Sequence, residues 1–167
     1  AIQYSDYARW QRQQLAEQEF DRQLGYWQQQ LANAPASLDL PFDRPRPLMS
    51  SGSGTTLPVN FDAALTDDIK KLARKFDTTA YVILMAAYKI LLGRWSRQRD
   101  ICVGMPVAGR TRPEVEGLIG FFVNTLVIRT QQQGKPTFEQ FVRQVREKVL
   151  GAQMHQDIPF EVLVEEL

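Results

Sequence analysis

The stretch IGFFVNTLVIRT, Ile119 to Thr130, decides the fold class, because it is the most apolar run in the second half of the chain. Its aromatic and β-branched residues read as a buried β-strand, yet Asn124 stands at its centre. A buried amide without partners costs about 1–3 kcal/mol. Either Asn124 has firm local partners, or the strand borders something polar.

Working outward, DICVGMPVAGR (100–110) is a short, mostly apolar strand that leaves the core at Pro106 to Arg110, and TRPEVEG is a turn or a single helical turn. Thr55 to Asp62 alternates Leu57, Val59 and Phe61 with polar positions, which predicts a third, half-buried strand with Pro58 at an edge or bulge. Thr66 followed by Asp67 and Asp68 predicts a helix start with acids in its first turn; Leu65, Ile69, Leu72, Ala73 and Phe76 give that helix its apolar stripe. Thr79 caps a helix, AYVILMAAYKILLGRW, that is apolar nearly all round and is therefore expected to be buried. After a turn at QQQGKPT, Phe138, Phe141, Val142, Val145 and Val149 mark an amphipathic helix, and Pro159 suits the first turn of a last one.

At the start of the chain Phe20, Leu24, Trp27 and Leu31 fall on one helical face, and Tyr4, Tyr7, Ala8 and Leu15 continue the spacing upstream of a kink near Ala16. Asn33-Ala34-Pro35 stops the helix. Four of the nine prolines then fall between Pro35 and Pro47, ahead of a Gly/Ser run, so this segment is an extended connection. The predicted organisation is a helical segment at 1–34, an extended loop at 35–54 and an α/β lobe at 55–167, with helices packed on a mixed sheet. Three strands, apolar on both faces, would leave edges and a face uncovered, so the chain reads as unfinished.

Composition narrows the function. The chain has 167 residues, 44% of them hydrophobic and 23% charged, and a net charge of +1. That suits one domain or part of a larger one and gives no electrostatic footprint for nucleic acid. No apolar run is long enough for a membrane span, and no signal peptide is visible. The single cysteine, Cys102, rules out a disulfide framework and fits a reducing compartment, so a cytoplasmic protein is expected. One histidine, His155, leaves no multi-histidine metal spacing, and no metal site is expected. Gly52 to Gly54 lacks the spacing of a phosphate-cradling loop. From the residues alone, the chain is a soluble α/β piece.

Four segments add to this: YSDYARW (4–10), GMPVAGR (104–110), IGFFVNTLVIR (119–129) and HQDIPFE (155–161). In this order they resemble the core motifs of the condensation domains of nonribosomal peptide synthetases, and the resemblance covers essentially the whole chain. It implies part of the C-terminal lobe of a two-lobed, chloramphenicol-acetyltransferase-like fold with a tunnel between the lobes. It also implies a parent enzyme in multidomain antibiotic biosynthesis and secondary metabolism. There an amine attacks a thioester carbonyl, the two being delivered on the phosphopantetheine arms of donor and acceptor carrier proteins. An adjacent adenylation domain and the other lobe are implied partners; no directly bound cofactor is expected.

The family signature His-His-x-x-x-Asp-Gly cannot occur in a chain with one histidine. No catalytic residue is therefore assigned, and this chain alone is expected to be inactive. The resemblance makes Arg110 a candidate to hold the signature aspartate of the other lobe, against a solvated loop arginine. It makes Asn124 a tunnel or lobe-junction candidate, against an amide that bonds to nearby backbone. Tyr4, Asp6, Tyr7, Trp10, Gly120, Phe122, His155, Gln156, Asp157, Pro159 and Phe160 are motif residues expected to be structural. A non-catalytic docking or scaffold module for carrier proteins, and a heterocyclising or other acyltransferase relative of the same fold, are the alternatives.

Overall fold

The computed structural model describes residues 2–14, 18–45, 47, 49 and 51–166. Helices α1 (Tyr4–Gln14) and α2 (Gln18–Leu31) open the chain; α3 (Ala63–Lys75) and α4 (Ala80–Ser96) follow. Strands β1 (Asp100–Val107) and β2 (Asn124–Gln131) flank the single turn α5 (Pro113–Glu116), and α6 (Phe138–Met154) and α7 (Phe160–Glu166) close it. Two compact units share these elements. One gathers α1, α2, Cys102–Thr130 and the chain from Glu147 onward; the other gathers Ala36–Ile101 and Gln131–Arg146.

β1 and β2 pair with each other. The Gln132 amide donates to Arg99 O at 2.8 Å, and Gln131 Nε2 reaches Asp100 Oδ2 at 2.9 Å. In this antiparallel register Val107 stands opposite Asn124. Asn124 is thus the first residue of its strand and not the centre of a longer one. The ladder stops there for a covalent reason. Past Val107 the chain turns at Gly109, where φ is +65° and a Cβ would lie 1.8 Å from Phe122 O. Only glycine fits that crossing, and residues 119–123 are left with no strand to pair with. Ile119 (97% exposed) and Phe121 (75%) face solvent accordingly.

The third predicted strand does not form. Residues 55–62 belong to no helix or strand, and Leu57 (82%) and Val59 (73%) are exposed. Alternating side chains can mark a strand only where a neighbour takes its backbone groups; among the described residues none does, and Pro58 lacks a donor. The predicted start at Thr66 is also corrected. Asp62 is the N-cap of α3, accepting from Leu65 N at 2.7 Å, while Thr66 Oγ1 donates to Asp62 O. Asp67 and Asp68 therefore lie beyond the first turn. Pro159 sits just before α7, its carbonyl accepting the Leu163 amide. The predicted kink near Ala16, with Leu15, lies outside the described residues.

In the first unit Leu24 and Trp27 of α2 are buried as their spacing predicts, with Phe20 and Leu31 at the edges. Buried Arg129 closes the end of this helix: its Nη1 donates to Gln30 O and Ala32 O, and its Nη2 to Asn33 O. A guanidinium there satisfies last-turn carbonyls and opposes the negative end of the helix dipole.

In the second unit Thr79 caps α4 as predicted, accepting from Val82 N, and α4 packs on α3. One face of α4 holds buried Val82, Ile83, Met85, Ala86 and Leu92 together with fully buried Lys89, whose Nζ donates to Ile101 O at 2.8 Å. The opposite face corrects the expectation of a helix buried all round. Tyr81, Leu84, Tyr88, Leu91 and Trp95 are exposed, Trp95 by 60%. Their 3-4-3-4 spacing forms a continuous apolar stripe. Among the described residues, no single helix is long and apolar enough to cross a membrane.

A stripe of this kind, larger than the scattered apolar side chains of a soluble monomer, makes a testable demand. The 167-residue chain is expected to self-associate and to bind a hydrophobic dye. Leu84→Glu combined with Leu91→Glu, both on the exposed face, is expected to reduce both effects in sedimentation and fluorescence measurements. A monodisperse parent chain that binds no dye would contradict this reading.

Candidate functional site

All the motif residues singled out in the sequence lie in the first unit. Tyr4 opens α1, where Asp6 Oδ2 accepts from Gln3 N at 2.9 Å and so satisfies an otherwise orphan donor. From α1 the Tyr4 hydroxyl donates to Phe121 O at 2.9 Å, and its ring meets Phe122 edge-on at 5.2 Å. Tyr7 touches the same ring at 4.8 Å and continues to Trp10 at 5.7 Å. Gly120 is required by this packing, since a Cβ there would lie 2.3 Å from Tyr4 Cδ2. Phe122, alone among residues 119–123, is buried.

Arg110 lies over Phe122, its guanidinium carbon 4.2 Å from the ring centroid. Its Nη1 donates to Val115 O and to Glu116 O, at 3.2 Å for the latter, and so closes the single turn α5. Its Nε and Nη2 groups make no hydrogen bond among the described residues. Arg112 repeats the arrangement over Trp10, also at 4.2 Å.

Asn124 answers the question its position raised. Its Nδ2 donates to Gln156 O at 2.9 Å and Ile158 O at 2.8 Å. Its Oδ1 accepts from Thr125 N at 2.8 Å and Phe160 N at 3.0 Å. Both donors and both lone pairs of the amide are engaged, and β2 is tied to the turn that starts α7. Beside it, Gln156 Nε2 closes the end of α6 on Gln153 O.

Two residues missed in the sequence complete this unit. Gln23, buried on α2, donates to Asp157 Oδ2 and Glu19 Oε1, both at 3.1 Å, and accepts from Asp157 N. The signal was a polar residue on the face that carries Phe20, Leu24 and Trp27. Arg22 holds Glu19, and these contacts, led by the Arg22 hydrogen bond and followed by Gln23, bring the Glu19 carboxyl down to about 2. Burial, then the charge of Asp157, pushes the Tyr7 hydroxyl above its ordinary value.

His155 is held on every side. Its ring stacks on Tyr26 at 3.9 Å and 3°, Nδ1 lies 2.8 Å from Gly151 O, and its carbonyl accepts from Trp27 Nε1. A carbonyl only accepts, so Nδ1 carries the proton; Nε2 then faces Arg22 Nη1 at 3.5 Å. Both ring nitrogens and the ring face of His155 are thus in contact with neighbouring groups. Cys102 is half-buried in β1, and the described residues hold no cluster of three His, Cys, Asp or Glu able to bind a metal.

The motif residues enclose two hollows. One, of about 170 Å³, lies among Tyr4, Tyr7, Phe122, Asn124 and Pro159; the other, of about 460 Å³, lies among Trp10, Phe20, Gln23, Arg112 and Asp157. Aromatic faces, the Arg112 guanidinium, the Gln23 and Asn124 amides and the Asp157 carboxylate line them.

Removal of the Asn124 amide is expected to be costly. Asn124→Ala should destabilise the chain by roughly 2–4 kcal/mol, from four lost hydrogen bonds at about 1 kcal/mol each. Asn124→Asp retains the acceptors but sets a carboxylate against two carbonyls, and should do no better at neutral pH. Denaturant unfolding, with hydrogen exchange at the Phe160 amide, reads the effect. An unchanged midpoint and an unchanged Phe160 exchange rate would show that the amide is not a tie.

The sequence matches the family described as the condensation domain over residues 1–167. It is 49% identical over 166 residues to a linear gramicidin synthase of Brevibacillus parabrevis, covering 99% of this chain and 3% of that protein. Malpibaldin synthetase of Mortierella alpina is 47% identical over 165 residues, again 99% of this chain and 3% of the relative. The X-domain from teicoplanin biosynthesis superposes with a TM-score of 0.94 at 29% identity, covering 100% of this chain and 38% of that one. The chain therefore spans a small part of these relatives' length. With its motif residues assembled in one unit, and the family matched from end to end, the chain belongs to the condensation domain family of nonribosomal peptide synthetases.

Proposed function

We propose that the chain forms part of a condensation domain whose complete form joins a thioester donor to an amine acceptor. The amine attacks the thioester carbonyl, a C–N bond forms, the C–S bond breaks, and the phosphopantetheine thiol leaves with a proton. The substrates arrive on the phosphopantetheine arms of donor and acceptor carrier proteins, and an adenylation domain and a second lobe complete the assembly. The family match over residues 1–167, joined to the ordered Tyr4–Phe122–Asn124 constellation, supports this reading. With His155 as the sole histidine, and that residue fully engaged, this chain contributes positioning and no base.

Arg110 is the residue proposed to reach across to the signature aspartate. Its Nη1 is anchored on Val115 and Glu116 carbonyls and its plane lies on Phe122, while Nε and Nη2 are left with donors for a carboxylate. A guanidinium held on one edge is preorganised for such a pairing on the other. Asn124 is proposed to shape the same lobe junction indirectly, by fixing the turn before α7.

The test takes aminoacyl-loaded donor and acceptor carrier proteins. The 167-residue chain alone is expected to form no dipeptide above the uncatalysed rate. In the two-lobed domain, Arg110→Ala is expected to lower turnover about 10-fold or more while carrier-protein affinity holds, since removing one partner of a shielded charge pair costs more than removing a surface one. Dipeptide formation by the chain alone, or full turnover in a folded Arg110→Ala domain, would overturn the respective assignment.

A further inference from the structure

The second unit contains a concavity of about 550 Å³ that the function above does not use. One wall is the end of α4 and the loop after it, with Arg94, Arg97 and Arg99; the other is the turn before α6, with Lys135. Each wall owes its shape to a left-handed residue: Arg97 (φ 57°) ends α4, and Gly134 (φ 67°) turns the facing loop. The Gln132–Arg99 backbone hydrogen bond, at 2.8 Å, ties the two walls at the end of the β-ladder.

The charge of this concavity is one-sided. Among the described residues four cationic side chains line it and no acidic one does. All four are exposed, and none forms an ion pair among the described residues. The nearest acids in sequence have other partners: Asp100 accepts from Gln131, and Glu139 pairs with Arg143. The carbonyl end of α4 offsets part of the positive charge of Arg94 and Arg97. Phe138, Phe141 and Ile90 supply an apolar surface beside the charges. Like charges gathered around a hollow, without counter-charges, raise the local potential and favour an anion. Arginine forks match phosphate oxygens in particular. The volume falls within the range of about 300–1,000 Å³ usual for small-molecule sites.

We infer that this concavity is a binding site for an organic phosphate carrying two or more negative charges. The phosphates lie among Arg94, Arg97, Arg99 and Lys135, and the organic part lies against Phe138. The site is independent of the proposed condensation chemistry, whose residues belong to the first unit.

Equilibrium dialysis of the 167-residue chain against labelled pyrophosphate and ATP tests it. One saturable site per chain is expected for both probes, ATP binding at least as tightly as pyrophosphate, with affinity falling as salt rises. Arg94→Glu with Arg99→Glu, and separately Lys135→Glu, should each weaken binding at least 10-fold. These side chains are exposed and unpaired, so melting temperatures should stay close to the parent, with a small loss for Arg94→Glu at the carbonyl end of α4; Arg99→Gln gives a second, milder variant with an intermediate loss. Absence of saturable binding, indifference to the charge reversals, or rejection of ATP while pyrophosphate binds would overturn the assignment. A preference for polyglutamate over both phosphates would also overturn it, and would point to an acidic protein surface as the occupant.

Discussion

The side-chain amide of Asn124 is the tie on which the first unit depends. Three hydrogen bonds of 2.8–3.0 Å join the first residue of β2 to the 156–160 turn, and a fourth ties the same amide to Thr125 N. No apolar residue can replace this, because the partners are main-chain groups at a turn where neither helix nor strand supplies bonds. The tie fixes where α6 ends and α7 begins. It also places the Asp157 carboxylate against Gln23, and Phe122 under the rings of Tyr4 and Tyr7. A polar residue in an apolar segment is therefore an instrument of architecture here.

Cations are used in a similar way. Arg129 closes α2, Arg110 closes α5, and Lys89 meets the carbonyl of Ile101 where β1 begins. Each ends on backbone oxygens that the secondary structure leaves open. Together these contacts give buried or half-buried positive charge backbone acceptors in a chain of net charge +1. Charge-assisted bonds to carbonyls offset part of the desolvation of such groups. Arg110 differs from the other two in having one edge of its guanidinium anchored and donors left over, which suits it to a second task.

The exposed stripe of α4 and the exposed Ile119 and Phe121 are the counterpart of this order. Apolar side chains at these positions gain nothing in water, and five of them on one helix face at regular spacing is not the scatter of an ordinary surface. The chain spans 38% of the teicoplanin X-domain and 3% of the linear gramicidin synthase, so the relatives carry much polypeptide beyond what this chain matches.

By itself the sequence determined what depends on near neighbours. The spacing of Phe20, Leu24, Trp27 and Leu31, and of Phe141, Val142, Val145 and Val149, gave helices with the correct inner faces, although Phe138 at the start of α6 is exposed; a 3.6-residue period is a local property. Thr79 as a cap, Pro35 as a stop and the family itself were legible for the same reason: each is written in a few consecutive residues. The tertiary structure alone decided what depends on a distant partner. Leu57, Val59 and Phe61 alternate as strand residues do, yet among the described residues no strand lies beside them. Residues 119–123 are as apolar as 124–130, yet pairing ends at Asn124 because β1 ends at Val107 and the chain turns at Gly109. The Gln23–Asp157 contact, the Arg129 contacts and the three distant partners of Asn124 were equally invisible, since a hydrogen bond across 32 to 134 residues leaves no mark in either local stretch. Periodicity fixes which way a side chain points along its own element; only the fold decides what stands opposite.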